Sequence, residues 1–393
     1  MGVASPHEAH ARPGPEDAAV ALLAELVGID SVNPGLVPGA AGEGATVEHL
    51  RHRLEGSGFT TTVVPAAGPD DRPSLLAVPS GPDPAAEVPT VVLNGHLDTV
   101  GVAGMPNPFV ARVEGDRLHG RGAADMKGGV AALVAAAEHL VATAAPVRPV
   151  LALAADEEDA GRGSEALVAA LAASDLSPDA CLIAEPTDLA VCRSLRGFAV
   201  VRVRFTGRAA HSSQAEQGVN AVTHLGRLLH AVDVRAGAVR ASGGDLMVTV
   251  ARGGGSAFVV PDSAECLVEV RTPPDRTSAT ALDEVRALLR PEWAASAELE
   301  AHRDGWRLAA DGAAADLAHR LAGRLGAGTQ FDAPYWMEAP LWERLCPTLV
   351  CGPSGGGLHA ADEWVDLSQV RAFTAAVVAA LRDGWPAARR VAG

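Results

Sequence analysis

Seven acidic and imidazole side chains recur where strands are expected to end. GHLDTV carries His96 and Asp98, GRGAADMKGG carries Asp125, DEED carries Glu157 and Glu158, AEPT carries Glu185, and GGGLHAADEW carries His359. Imidazole nitrogens and carboxylate oxygens are donors that suit zinc, and catalytic sites keep a position for water. Two ions a few ångströms apart need an acid that bridges them. A further acid must stay off the metal to take a proton from water. A lone His or Asp at a strand end is more often a satisfied polar residue, and DEED alone could be a solvated turn. The weight therefore lies with the set. GPSGGG lacks the Lys-Ser/Thr ending of a phosphate loop, which argues against that use of its glycines.

These residues need elements to hold them. TVVLNGHLDTV, PVLALAADEE and DACLIAEPTD each read as a buried strand with polar residues at its exit, and open α/β sheets build sites at the carboxyl ends of such strands. Helical periodicity marks AAVALLAELVGID, TVEHLRHRLEGSG and GGVAALVAAAEHLVATA, while TTTVVPA is a further strand. After Cys192 the pattern changes. GFAVVRVRFTGRA, DLMVTVARG and AECLVEVRTP alternate apolar and polar residues. NAVTHLGRLLHAVDVRA, capped by Asn220, and TALDEVRALLRPEWA are the intervening helices, and SAELEAHRDGW closes the set. That strand–helix–strand–strand–helix–strand order predicts a small α+β, ferredoxin-like unit inserted in a larger α/β domain. The expected boundaries are 192–305 for the insertion, with 1–191 and 306–393 forming the larger domain. CPTLVCGP is a buried strand of the latter, and LSQVRAFTAAVVAALRDGW its closing helix.

Composition bounds the function. At 393 residues the chain exceeds what one core usually organises. Apolar residues at 48% and charged residues at 20% fit an ordinary globular protein. A net charge of -16 argues against nucleic-acid binding. The five cysteines form no C-x-x-C pair, so buried free thiols in a reducing cytoplasm are expected rather than a disulfide framework. The opening MGVASPHEAHARPGPED has no cationic start and apolar core, and reads as a flexible lead-in. The Ala-rich run from Gly129 to Leu140 is too short for a membrane span. A cytoplasmic protein that contacts no membrane is the expectation.

The motifs GHLDTV, GRGAADMKGG, DEE, AEPTD, GRAAHSSQAEQGVNA, VVPD with VEVR, and CGPSGGGLHAADEWV occur in one order between about residues 91 and 365. Together they resemble the M20 zinc amidohydrolases, the group of acetylornithine deacetylase, succinyl-diaminopimelate desuccinylase, aminoacylase and glutamate carboxypeptidase. The resemblance implies a zinc-peptidase-like α/β catalytic domain with an inserted lid or dimerisation domain. It implies two Zn2+, although the ligand set also admits Co2+ or Mn2+. His96 and Glu185 would hold one ion, Glu158 and His359 the other, and Asp125 would bridge. Asp98, two residues from His96 on the same side of a pleat, would orient that imidazole through its second nitrogen. Glu157 would be the general base and later the proton donor to the amine.

The resemblance also implies that His211 stabilises the oxyanion in a partner subunit's site, hence a homodimer. Arg271 would bind a substrate carboxylate, with Arg196 a lesser candidate. The bland alternatives are a structural histidine before a helix and a surface arginine leaving a strand. The implied reaction is amide hydrolysis of an N-acyl amino acid or related small molecule, by a bridging hydroxide formed with Glu157. A deacylase comes first, a dipeptidase or carboxypeptidase second. A catalytically inactive binding protein is the rival from another class, and the filled ligand and base positions argue against it. Phe258, Met337 and Ser354 stand where the family commonly has Asn, Thr or Ser, and Gly. These departures lie near the expected substrate rather than the metals.

Overall fold

A computed structural model describes residues 13–386 apart from 67, 69–71, 82–87, 103 and 327–329. Most of the expected lead-in, residues 1–12, lies outside the described residues. The chain forms two compact units. One comprises Met1–Cys192, Leu308–Gln330 and Leu341–Gly393, the other Arg193–Arg307 and Phe331–Pro340.

In the first unit the strands lie in the order Phe59–Ala66, Arg72–Pro79, Arg148–Ala154, Thr90–His96, Ala180–Ile183 and Thr348–Val350, with Cys192 pairing beside Val350. The four from Arg148–Ala154 to Thr348–Val350 run parallel. Every residue of Thr90–His96 and of Ala180–Ile183 is buried, as expected of parallel strands covered on both faces. Their continuous apolar runs follow from that burial. Because the three strands expected to end in acids and histidines are parallel neighbours, their exits share one edge of the sheet.

The helices Pro15–Val27, Gly128–Ala142, Ala313–Leu325 and Leu367–Arg382 share one core with the sheet, and Leu22, Leu26, Leu133 and Phe373 are wholly buried there. Each such side chain contributes about 1.5–3 kcal/mol by leaving water. Small residues seat Gly128–Ala142 close to the strands: a Cβ at Gly129 would lie 2.2 Å from the carbonyl oxygen of Ala184, next to Glu185. A separate sheet in the order Gly355–Gly356, Trp364–Asp366, Arg117–His119 and Arg112–Glu114 ties the segment around His359 to the segment leading into Asp125.

Besides the strands of that small sheet, two larger elements escape the sequence pattern. Arg72–Pro79 pairs antiparallel with both its neighbours, yet Pro73 and Pro79 weaken its strand signal. The helix Arg162–Ala172 opens on Gly161 and Gly163, residues that read as a loop.

The second unit holds a four-stranded antiparallel sheet in the order Asp245–Gly253, Ser263–Thr272, Gly197–Thr206 and Ala295–Arg303. The helices Ala221–Ala241 and Thr280–Arg286 cover the face that carries Val201, Val203, Val268 and Val270. This is the ferredoxin-like arrangement the alternation predicts. Asn220 caps the longer helix by accepting the Thr223 N–H at 3.1 Å. The expected second helix stops at Arg286, after which the chain turns through Pro291–Trp293. Phe331–Pro340 joins this unit from far along the chain, with Asp332 accepting from Ser194 Oγ at 2.6 Å and Arg193 Nη2 at 2.7 Å. No helix among the described residues is long and apolar enough to cross a membrane.

Candidate metal centre

Asp125 stands between two imidazoles. Its Oδ1 is 3.1 Å from His96 Nε2 and its Oδ2 is 3.2 Å from His359 Nε2. His359 Nε2 is also 3.2 Å from Glu158 Oε2, and His96 Nε2 is 3.9 Å from Glu157 Oε2. Donor atoms of His96, Asp125 and Glu158 lie within 4.8 Å of one another, and so do those of His96, Glu157 and Glu185. The seven residues singled out from strand ends thus meet in the first unit, Asp98 lying behind the other six.

The donors fit a divalent ion. Ligands about 2.0–2.2 Å from zinc at tetrahedral angles are roughly 3.4 Å apart, close to the His96–Asp125, His359–Asp125 and His359–Glu158 separations. Glu158 Oε1 is buried and has no hydrogen-bond partner among the described residues. A buried carboxylate oxygen without a donor is costly, and a cation would satisfy it.

The clustered carboxylates make both imidazoles more basic. Contact with Asp125 and then Glu158 pushes His359 up to about 10. Burial disfavours charge on His96, but the Asp125 and Asp98 carboxylates outweigh it and raise that group as well. Burial likewise works against ionised Asp125, yet His359 and His96 hold it below the usual carboxylate range. Burial raises Glu158. Ion binding must displace the imidazole protons.

Asp98 meets the second ring nitrogen of His96 through both its main-chain oxygen and its carboxylate. Nδ1 of His96 lies 3.0 Å from the main-chain oxygen of Asp98, and 3.5 Å from its carboxylate. The carboxylate serves other groups as well. It accepts the N–H groups of Glu157 and Glu158, each at 3.1 Å, and Asn33 Nδ2 at 2.7 Å.

Glu363, four residues after His359, holds the Asp125 loop. Its carboxylate accepts from Gly122 N at 2.9 Å, Ala124 N at 2.9 Å, Asp125 N at 3.1 Å and Arg121 Nη1 at 2.7 Å. Gly122 has φ +76°, and a Cβ there would meet Thr99 Cγ2 at 2.5 Å. Lys127 is buried and donates to the carbonyls of Leu26 and Ile29, both at 2.9 Å, so it ties this loop to the end of the first helix. Burial lowers it to about 8.

The remaining expected site residues belong to the second unit. His211 is exposed, and its Nδ1 accepts the Ser213 N–H at 3.2 Å. It pairs with Val259 in an antiparallel bridge, which places the exposed Phe258 beside it. Arg271 forms an ion pair with Glu269 at 2.6 Å and lies over the Phe198 ring at 5.6 Å. Arg196 donates its main-chain N–H to Ala333 at 3.2 Å. Met337 is buried in this unit, while Ser354 is buried in the first.

Sequence reasoning assigns no role to Asn33, Glu43, Arg72, Asp156, Arg121 or Glu363. Asp156 and Glu363 do sit inside quoted motifs, DEED and ADEW. Their acid at the edge of an apolar run was the available signal.

Residues 92–383 match the family model described as Peptidase family M20/M25/M40. Acetylornithine deacetylase of Proteus mirabilis is 28% identical, over 89% of this chain and 92% of its own length. Succinyl-diaminopimelate desuccinylase of Dinoroseobacter shibae is 30% identical, over 93% of this chain and 98% of its own. A tripeptidase structure from Staphylococcus aureus matches with a TM-score of 0.77 at 18% identity, covering 93% of this chain and 98% of that one. A dinuclear metal-binding M20 peptidase from Bacillus subtilis matches at 0.67 and 16%, with 93% and 98% coverage. The chain belongs to Peptidase family M20/M25/M40 and is a hydrolase of that family.

Proposed function

We propose that the chain is a deacylase that hydrolyses the amide bond of an N-acyl amino acid or related small molecule with the help of two divalent ions. The observation that supports this most is Asp125, whose two oxygens face two separate imidazoles. His96 and Glu185 would hold one ion, Glu158 and His359 the other, and Asp125 would bridge. Zinc suits these donors, and cobalt or manganese meets the same set. Bound ions supply Lewis-acid polarisation of the substrate carbonyl and a lowered pKa for water.

The protein's own groups do the rest. Glu157 takes the proton from the attacking water and passes it to the amine nitrogen as the C–N bond breaks. His211 donates to the carbonyl oxygen as that oxygen gains charge. Arg271 binds the substrate carboxylate through its guanidinium fork, with Arg196 the lesser candidate. We assign His211 to the site of a second copy in a homodimer. Residues 192–305, joined in the structure by Phe331–Pro340, are then the lid or dimerisation domain, and the rest of 1–191 and 306–393 the catalytic domain.

The names of the two curated relatives, a deacetylase and a desuccinylase, favour acyl removal over peptide cleavage. Assaying N-acetylornithine, N-succinylated and other N-acetylated amino acids and dipeptides in parallel tests the choice. Turnover of N-acyl amino acids is expected, and activity confined to dipeptides replaces the deacylase with a dipeptidase. A monomer by sedimentation that keeps full activity refutes the role of His211 in a neighbouring subunit.

A further inference from the structure

Five buried polar side chains from separate stretches of the first unit meet behind the candidate ligands: Asn33, Glu43, Arg72, Asp98 and Asp156. Arg72 is their centre. Its Nε donates to Glu43 Oε2 at 2.7 Å and its Nη2 to the other oxygen of Glu43, while Nη1 reaches Asn33 Oδ1 and Asp156 Oδ1, each at 3.0 Å. Glu43 Oε1 accepts the Asp156 N–H at 3.1 Å, and Arg162 Nε donates to Asp156 Oδ2 at 2.5 Å. Asn33 then passes the chain of contacts to Asp98, which accepts the N–H groups of Glu157 and Glu158.

Stability alone is a poor reason for this network. Three carboxylates and a guanidinium in the interior carry a desolvation cost that apolar residues of the same volume avoid. Its location supplies the reason. Asp156 has φ +65°, a left-handed conformation that non-glycine residues seldom adopt. Every polar group of Asp156 named above, main-chain N–H and both carboxylate oxygens, is gripped by Glu43, Arg72 or Arg162. The two residues that leave this turn go separate ways: Glu158 Oε2 lies at His359, Glu157 Oε2 towards His96.

We propose that Arg72, gripped by Glu43, is a positioning residue that clamps the Asp156 turn and so decides which of two adjacent glutamates meets His359 and which stands beside His96 to take the proton. The clamp rests on the assignment of Glu157 as the base made above.

Arg72→Lys keeps the charge but cannot span Glu43, Asn33 and Asp156 together. The test uses the full-length protein loaded with cobalt, reading its visible absorption spectrum, the ions bound per chain, and kcat and KM on an N-acetyl amino acid. The expected result is an altered cobalt spectrum and a kcat lower by about 10–100-fold, with KM within about twofold of the parent. Glu43→Gln, which keeps size and one acceptor oxygen, carries the same expectation if Arg72→Lys does not fold. Folded variants with the parental spectrum and kcat overturn the clamp. Loss of the fold in both variants does so too, because it assigns the network to the stability of the whole unit. Failure of the base assignment is visible separately: full kcat in Glu157→Gln removes that role, whereas the cobalt spectrum of Arg72→Lys reports on Glu158 whatever Glu157 does.

Discussion

The carboxylate of Asp98 reaches across fifty-nine residues of chain to accept the main-chain N–H of Glu157 at 3.1 Å. One aspartate therefore serves two of the side chains proposed for catalysis, His96 through its own carbonyl and Glu157 through its carboxylate. Removing the carboxylate frees the N–H groups of both adjacent glutamates in a buried setting. Its loss reaches further than one imidazole.

Glu157→Gln keeps shape and removes the ability to take a proton. The expected loss in kcat is about 10²–10⁴-fold, the usual contribution of a general base. Ion content by elemental analysis should match the parent, because the proposed ligands are other residues. Loss of an ion along with activity would make Glu157 a ligand instead.

Ion binding should release protons. His359 is raised above its ordinary 6.5 to about 10, so between those pH values the ion-free protein carries an imidazolium that a metal must deprotonate. The same shift has a sign for stability. A raised pKa stabilises the ion-free fold fully below about 6.5 and loses that contribution as pH climbs through about 10. His359 is half exposed, so solvent screens the effect and the change should be modest. Calorimetric titration of cobalt or zinc at pH 8 in buffers of different ionisation enthalpy should give heats that depend on the buffer. Equal heats in all buffers would show that no proton leaves.

Gly129→Ala should be disruptive although alanine favours helices. Its Cβ would fall 2.2 Å from the Ala184 carbonyl, a contact that must push the helix from the strand exit. Overpacking of this kind costs about 1–3 kcal/mol. Because Glu185 is the next residue, weaker ion binding should accompany the lower melting temperature. A variant as stable and as tight-binding as the parent would contradict the close approach.

All five cysteines are buried, and among the described residues none is joined in a disulfide. Burial pushes the thiols of Cys346 and Cys351 up to about 12 and that of Cys266 up to about 11. Thiolates are the reactive form, so a disulfide reagent at pH 8 should label none of the five in the native protein and all five in denaturant. Rapid native labelling would contradict that burial.

The fold class was legible because burial leaves a direct imprint. Parallel strands covered on both faces, such as Thr90–His96, are apolar throughout, and half-covered antiparallel strands, such as Gly197–Thr206, alternate. Arg72–Pro79 was not legible, since its prolines resemble a turn. In the candidate site, His96, Asp125, Glu157, Glu158, Glu185 and His359 stood out because their residue types and strand-end positions are chemical requirements. The groups that hold them did not. Arg72, Glu43 and Asn33 look like ordinary polar residues until the fold brings them to Asp156, and nothing local encodes that meeting. Glu363 was hidden in the same way, its four donors lying some 240 residues earlier in the chain.

The most direct test is to count ions on protein purified without chelator, alongside Asp125→Ala, and to follow hydrolysis of N-acyl amino acids as metal is stripped and restored. Two divalent ions per chain, their loss in Asp125→Ala, and activity that vanishes with chelator and returns with zinc or cobalt are predicted. A parent protein that binds no ion and hydrolyses nothing after metal is supplied would contradict the proposed metal centre and leave a binding protein in its place.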